Sequence, residues 1–133
     1  MRILLVVVTA AGLAVGQGTS SWKGDGNSLL RFCSAYIQAA DNGTIPSGGA
    51  VGATFCVGFL TGIQDYDEML SQLETDRNGG KGPIRHACVP ENVTTDEVVR
   101  VVVKWLRDNP DDLHYPASVL AIGALRKAYP CKQ

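Results

Sequence analysis

The chain has 133 residues, and its 12 lysines and arginines nearly balance its 13 aspartates and glutamates, giving a formal net charge of −1. This balance, with no stripe of basic residues interleaved with aromatics, excludes the electrostatics of a general nucleic-acid or anionic-membrane binder. The length corresponds to a single domain with one hydrophobic core.

Residues 1–16 have the three-part layout of a secretory signal peptide. Met1-Arg2 is a positive start, an apolar run begins at Ile3, and Ala14-Val15-Gly16 supplies the small residues that signal peptidase recognises. The run is shorter than the roughly 20 residues that span a bilayer, which argues against an uncleaved anchor. We therefore expect cleavage after Gly16, a periplasmic or secreted product, and no membrane attachment after cleavage.

The mature chain divides into a leader and one helical domain. Residues 17–26 are polar and rich in glycine, which predicts a flexible leader, and residues 27–133 form the domain. Asn27 or Ser28 is a suitable N-cap for the first helix. Asp41-Asn42-Gly43 ends that helix, because glycine suits a left-handed C-cap. Its apolar residues follow helical spacing: Leu29, Leu30, Phe32, Cys33, Tyr36, Ile37 and Ala40.

A second helix is predicted from Val51 to about Leu73. Its apolar positions are Val51, Phe55, Phe59, Ile63, Tyr66, Met69, Leu70 and Leu73. Gly58 and Gly62 lie one turn apart on this helix. Since glycine weakens a helix by roughly 1 kcal/mol, this pair predicts the close approach of a neighbouring helix.

The segment from Asp76 to His86 is predicted to be a mobile, exposed loop. It contains three glycines, one proline and four basic or histidine side chains. It lacks the spacing of a phosphate-binding P-loop, and no strand precedes it. We take it as the candidate partner-binding loop, with contact residues Asn78, Lys81, Arg85 and His86.

Two more helices follow the loop. Thr94 and Glu97 form a capping-box pattern at the start of the third helix, and Asp108-Asn109-Pro110 is typical of the end of a helix. Between them, five valines favour a strand by propensity, but the cap, the length and the stop favour a helix. Pro116 suits the first position of the fourth helix, which Pro130 ends. The expected fold is all-α, a four- to five-helix, disulfide-stapled bundle built from two helical hairpins.

Four cysteines, Cys33, Cys56, Cys88 and Cys131, agree with export. An even number of thiols in an oxidising compartment indicates two disulfides, and their separations of 23, 32 and 43 residues do not suit structural zinc. Three pairings are possible. The helix pattern favours Cys33–Cys56, which face each other across the first hairpin, and Cys88–Cys131, which lie at one end of the second.

No constellation of catalytic residues stands out. His86 and His114 both fall in predicted loops. His114 follows Asp111-Asp112, which resembles part of a catalytic triad, but the sequence shows no nucleophile paired with a histidine base and an orienting acid. Asp65, Asp67 and Glu68 point in different directions around a helix, which is typical of a solvated face. We predict no catalytic residues, no metal and no cofactor, so a binding protein is favoured over an enzyme.

Several stretches resemble the Rap/Tai family of type VI secretion amidase immunity proteins. They are Cys56–Gly62, Cys88–Thr94, Val101–Leu106, Asn109-Pro110, Leu113-His114 and the closing Ala124–Cys131. The resemblance implies a periplasmic, all-helical, often dimeric protein that binds and blocks a peptidoglycan amidase. The matching residues are mostly scaffold, so no toxin-contacting residues are carried over. The alternative is a periplasmic housekeeping protein, such as an acid-stress chaperone of the HdeA kind, which should bind apolar dye towards about pH 3.

Overall fold

A computed structural model describes residues 23–80 and 85–132 of the chain. The expectations about a signal peptide, cleavage after Gly16 and the leader up to residue 22 lie outside the described residues, as does Lys81. The described chain forms four α-helices and one short 3-10 helix, with no strand among these residues. They are α1 (Gly26–Asn42), α2 (Gly49–Arg77), α3 (Thr95–Asp108), the 3-10 turn Pro110–Asp112, and α4 (Ala117–Ala128). The predicted all-α class is confirmed.

Helix α1 has its N-cap at Asp25, two or three residues before the predicted Asn27 or Ser28. The Asp25 carboxylate is the N-cap and accepts a hydrogen bond of 2.8 Å from the Ser28 N–H. The end is as predicted, because Gly43 has a left-handed backbone with φ of 64° and its N–H donates to Ala39. Residues 25 and 26, expected in the leader, are therefore part of the domain, and Gly26 is buried.

The start of α1 is hydrogen-bonded to the connection between α3 and α4. The N–H of Gly26 donates to the Tyr115 carbonyl at 3.1 Å, and that of Ala117 donates to the Gly24 carbonyl at 2.8 Å. Asn27 donates to the Leu113 carbonyl through both its backbone and its side chain. These contacts hold the α3–α4 connection in place.

Helix α2 is longer than predicted at both ends, so Asp76 and Arg77 belong to the helix and not to the following loop. Its buried side also differs from the predicted apolar stripe. The buried residues are Gly52, Ala53, Cys56, Leu60, Asp67 and Ser71. Several large side chains of the stripe are exposed instead: Val51, Tyr66, Met69 and Leu73. Small residues face inward because they let α2 lie close against α1.

Gly52 allows this close packing, because a Cβ atom there would lie 2.7 Å from Cδ1 of Phe32 on α1. The predicted role of Gly58 and Gly62 is wrong for the described structure. Apart from the adjoining residues and backbone of α2 itself, no described atom lies within 4 Å of where a Cβ would stand at either glycine, and both residues are exposed. They face away from α1 and the core.

Helix α3 confirms the choice of helix over strand for the valine run. Thr94 and Glu97 form the predicted capping box, in which each side chain accepts from the other residue's backbone N–H. The apolar residues of α3 line the core with Val98, Val99, Val102, Val103 and Leu106. Pro116 is the N-cap of α4 and not its first residue, one position from the prediction.

Both disulfides pair as predicted. Cys33 and Cys56 are fully buried and join α1 to α2, while the half-buried Cys88–Cys131 bond joins the segment before α3 to the end of the chain beyond α4. One disulfide therefore links α1 to α2, and the other links the two ends of the α3–α4 hairpin. In the two ranges that the structure covers, no helix combines the length and apolarity needed to cross a membrane.

Candidate partner-binding surface

The candidate loop begins at the C-terminus of α2. Asn78 is the C-cap, exposed, and its N–H donates to the Glu74 carbonyl at 2.9 Å. Gly79 and Gly80 follow with positive φ angles of 63° and 80°, which side chains other than glycine rarely adopt. The chain is described again from Arg85, so two of the four predicted contact residues lie where the chain returns to α2.

His86 is held by Asp67 of α2. One Asp67 oxygen lies 2.6 Å from Nδ1 of the His86 ring and accepts from the His86 backbone N–H at 3.1 Å. The other oxygen accepts from the Ala87 N–H at 3.3 Å. Asp67 is only 4% exposed, so the interpretation of this carboxylate as part of a solvated face is wrong. A buried carboxylate is stable there because donors from one segment surround it.

These donors change the acidity of Asp67. Burial would raise the pKa of its carboxyl, but hydrogen bonds from the His86 ring and from the backbone of His86 and Ala87 outweigh burial and lower the pKa below the usual 3.8. Asp67 is therefore ionised at neutral pH. It acts as a fixed acceptor for the end of the loop.

Arg85 is also engaged within the chain. Its guanidinium forms an ion pair of 2.5 Å with Glu68, and both side chains are partly exposed. We predicted from sequence that Arg85 and His86 could meet acidic groups of a partner. The structure instead gives each an acidic partner on α2, so a competing protein would have to displace Glu68 or Asp67.

An open apolar groove of about 350 Å³ runs between α2 and α4. Its walls are Ile63, Tyr66 and Leu70 from α2 and Val119 and Ile122 from α4, with the Asp67–His86 pair and Ser118 at its edges. Tyr66 is 55% exposed and Val119 is 61% exposed. Sequence analysis missed the groove, because its walls come from two helices about 50 positions apart, and of its residues only His86 had been predicted to contact a partner.

The α3–α4 connection lies directly before the α4 wall of this groove. The His114 ring bonds to the Asp111 carbonyl at 2.8 Å and packs against the Tyr115 ring at 4.1 Å between centroids. Tyr115 is 49% exposed. Because His114 contacts a backbone carbonyl and no carboxylate, the resemblance of Asp111-Asp112…His114 to part of a catalytic triad does not extend to its geometry.

The Asp67–His86 pair has the arrangement of the acid and base of a hydrolytic triad. Ser118 lines the same groove, but no hydrogen bond joins it to His86 in the described structure. Across residues 23–80 and 85–132, no three histidine, cysteine or acidic side chains come together as a metal site would require.

In the described parts of the chain, four helices, two disulfides and an open apolar groove define a small, disulfide-stapled helical domain. A family model described as Rap1a immunity proteins matches residues 25–131. The chain belongs to this family, which confirms the resemblance to Rap/Tai immunity proteins and indicates an immunity protein that binds a secreted effector. No curated protein and no solved structure matches the chain.

Proposed function

We propose that this protein is a periplasmic immunity protein that binds and neutralises a peptidoglycan amidase delivered by a type VI secretion system. The observation that carries the proposal is the family match over residues 25–131, which spans all four helices and both disulfides. The predicted signal peptide supports the compartment, since a peptidoglycan amidase acts outside the cytoplasmic membrane.

The protein acts by binding and not by catalysis. Tight inhibition requires a surface that does not have to be ordered at the moment of binding, because ordering lowers affinity. The two disulfides and the bonds between the start of α1 and the α3–α4 connection support such a rigid surface. No cofactor takes part in this function.

The contact residues proposed from sequence are Asn78, Lys81, Arg85 and His86. Arg85 and His86 have moderately exposed side chains, 35% and 48%, so they remain accessible while bound to α2. Deleting Asn78 to Pro83 should weaken effector binding. Unchanged binding by the deletion variant would remove this loop from the interface.

The test uses the oxidised mature chain, Gln17 to Gln133, mixed with the purified amidase effector of the same strain. We expect a stable complex on size-exclusion chromatography and loss of peptidoglycan cleavage at equimolar protein. An amidase that keeps full activity with excess protein present would contradict the proposal. The reduced protein is the matched control, because it has the same sequence without the disulfides.

We also propose a homodimer as the assembly in the periplasm. The outward side of α2 supports it, since Val51, Met69 and Leu73 are exposed there and Gly58 and Gly62 leave open space. Gly58→Arg should then convert a dimer into a monomer in sedimentation experiments. A wild-type chain that sediments as a monomer at high concentration would contradict this assembly.

The alternative function is an acid-stress chaperone. One observation favours it: the Asp67 carboxylate, which fixes the end of the loop beside an apolar groove, loses its charge in acid. Apolar-dye binding that rises sharply between neutral pH and about pH 3, together with capture of many unrelated proteins, would support the chaperone. Inhibition of one amidase at neutral pH would contradict it.

A further inference from the structure

We propose that the α2/α4 groove and the α3–α4 connection form one docking surface, which receives a protein segment with an apolar anchor flanked by basic residues. Under the proposed function, which this inference deepens, the segment belongs to the effector. The surface is distinct from the candidate loop: of the loop residues that the structure describes, 78–80 and 85–86, only His86 lines the groove.

The groove provides the apolar centre of this surface. Tyr66 and Val119 stand on opposite walls and are each more than half exposed, while Leu70 and Ile122 are partly buried between them. Burial of apolar area contributes about 25 cal/mol per Å², so filling this groove with one side chain favours binding. Aromatic residues in such positions are enriched in protein interfaces.

The α3–α4 connection continues the surface beyond Val119. Tyr115 precedes Val119 by four residues and is half exposed, and its carbonyl is fixed by the Gly26 N–H at 3.1 Å. The Asn109 side chain adds a bond of 2.8 Å to the Trp105 carbonyl. The connection is therefore ordered before any partner arrives, which reduces the free-energy cost of binding.

Charge decides the kind of partner. Asp111 is exposed and Asp112 half-buried, and neither forms an ion pair within the described chain. By contrast, Asp41 and Asp96 are both bound by Arg100, and Asp108 by Lys104. The negative charge of these two residues lies in the segment that precedes the α4 wall of the groove. Such charge repels nucleic acid and anionic membrane, and it complements lysine or arginine on a protein.

The first experiment tests the surface without any effector. The ¹⁵N-labelled, oxidised mature chain is titrated with three short peptides that share a central phenylalanine, flanked by lysines, by glutamates or by serines. We expect the lysine-flanked peptide to shift the amide signals of Tyr66, Leu70, Val119 and Ile122 and of the segment 111–115. Equal shifts from the glutamate-flanked peptide, or no shifts in these residues, would overturn the proposal.

The second experiment uses matched substitutions and the purified amidase. Val119, in the first turn of α4, and Ile45, in the segment before α2, both carry exposed β-branched side chains, at 61% and 54%. A glutamate is tolerated in a first helical turn and in an exposed segment outside the helices, so both variants should fold. We expect Val119→Glu to weaken amidase binding at least about tenfold, as a central interface residue does, and Ile45→Glu to leave it unchanged.

A matched pair also tests the charge. Asp111→Lys should weaken binding, and Asp65→Lys, at an exposed acidic position outside the groove lining, should not. If the wild-type chain binds the amidase and Val119→Glu binds equally well, the docking surface is wrong and the proposed function stands. If the lysine-flanked peptide binds and the amidase does not, the docking surface stands and the proposed function fails.

Discussion

Asp67 and His86, 19 residues apart in the chain, are joined by hydrogen bonds to both the ring and the backbone of the histidine. The same carboxylate accepts from the Ala87 N–H, so one side chain of α2 satisfies three donors of the segment that leads to Cys88. This contact fixes where the loop returns to the bundle. It also forms one edge of the groove.

Replacing Asp67 by alanine should destabilise the fold by about 2 kcal/mol, because it leaves the Ala87 N–H buried without an acceptor. Urea unfolding of the oxidised protein measures the change. Asp65→Ala is the control, since Asp65 is exposed on the same helix and its loss should alter the free energy of unfolding by under roughly 0.5 kcal/mol. Equal effects of the two variants would show that the Asp67 contacts contribute no stability.

The lowered pKa of Asp67 makes a prediction about acid stability. Because the folded-state pKa lies below the unfolded value of 3.8, the contribution of Asp67 is fully present above that pH. It is lost as the pH falls through the lower, folded-state value. The difference in unfolding free energy between wild type and Asp67→Asn should therefore be largest near neutral pH and shrink below about pH 4. A difference that grows in acid would contradict the assigned direction.

Local signals in the sequence were sufficient for the end of α1, the start of α3 and the disulfides. The Thr94–Glu97 box and Gly43 act through groups a few residues away, so their roles can be inferred without the fold. The same signals outweighed the strand propensity of the valines in α3. The cysteine pairing followed once the helices were placed, since Cys33 and Cys56 face each other across the first hairpin, and Cys88 and Cys131 lie at one end of the second.

The orientation of α2 could not be inferred in this way. Apart from Leu60, its buried face has no large apolar side chain, since Gly52, Ala53, Cys56 and Ser71 are small, while Tyr66 and Met69 are large and exposed. A periodicity analysis follows the large side chains, whereas packing against α1 selects the small ones. Asp67 was interpreted wrongly for a second reason, because only the fold brings the donors of His86 and Ala87 to it.

Alanine substitutions at two glycines of α2 should have opposite effects. Gly52→Ala should destabilise the protein by roughly 1–3 kcal/mol, because the new methyl group would lie 2.7 Å from the buried Phe32 ring. Gly58→Ala should stabilise it by about 0.5–1 kcal/mol, since nothing occupies the space beside Gly58 and alanine favours the helix. Thermal unfolding of both variants checks the signs. Stabilisation by Gly52→Ala would show that α1 and α2 are packed less closely at this position than the 2.7 Å distance indicates.

The two disulfides should differ in their resistance to reduction. Cys33 and Cys56 are 0% exposed, whereas Cys88 and Cys131 are half-buried, and thiol–disulfide exchange requires access to a sulfur atom. A mild reductant followed by an alkylating reagent should label Cys88 and Cys131 first, as peptide mass spectrometry would show. Labelling of Cys33 and Cys56 first would contradict the burial of that pair.

Loss of the Cys88–Cys131 bond should also lower stability. By the chain-entropy argument, a bond closing 43 residues contributes roughly 4 kcal/mol, about 0.5 kcal/mol more than one closing 23 residues. Cys88→Ala with Cys131→Ala should therefore shift the urea midpoint down and increase hydrogen exchange at His86 and Ala87, which precede Cys88. The matched control is Cys33→Ala with Cys56→Ala, which should destabilise the fold without selectively increasing exchange at those two amides. Equal local exchange in both variants would mean that Asp67 holds the segment without help from the disulfide.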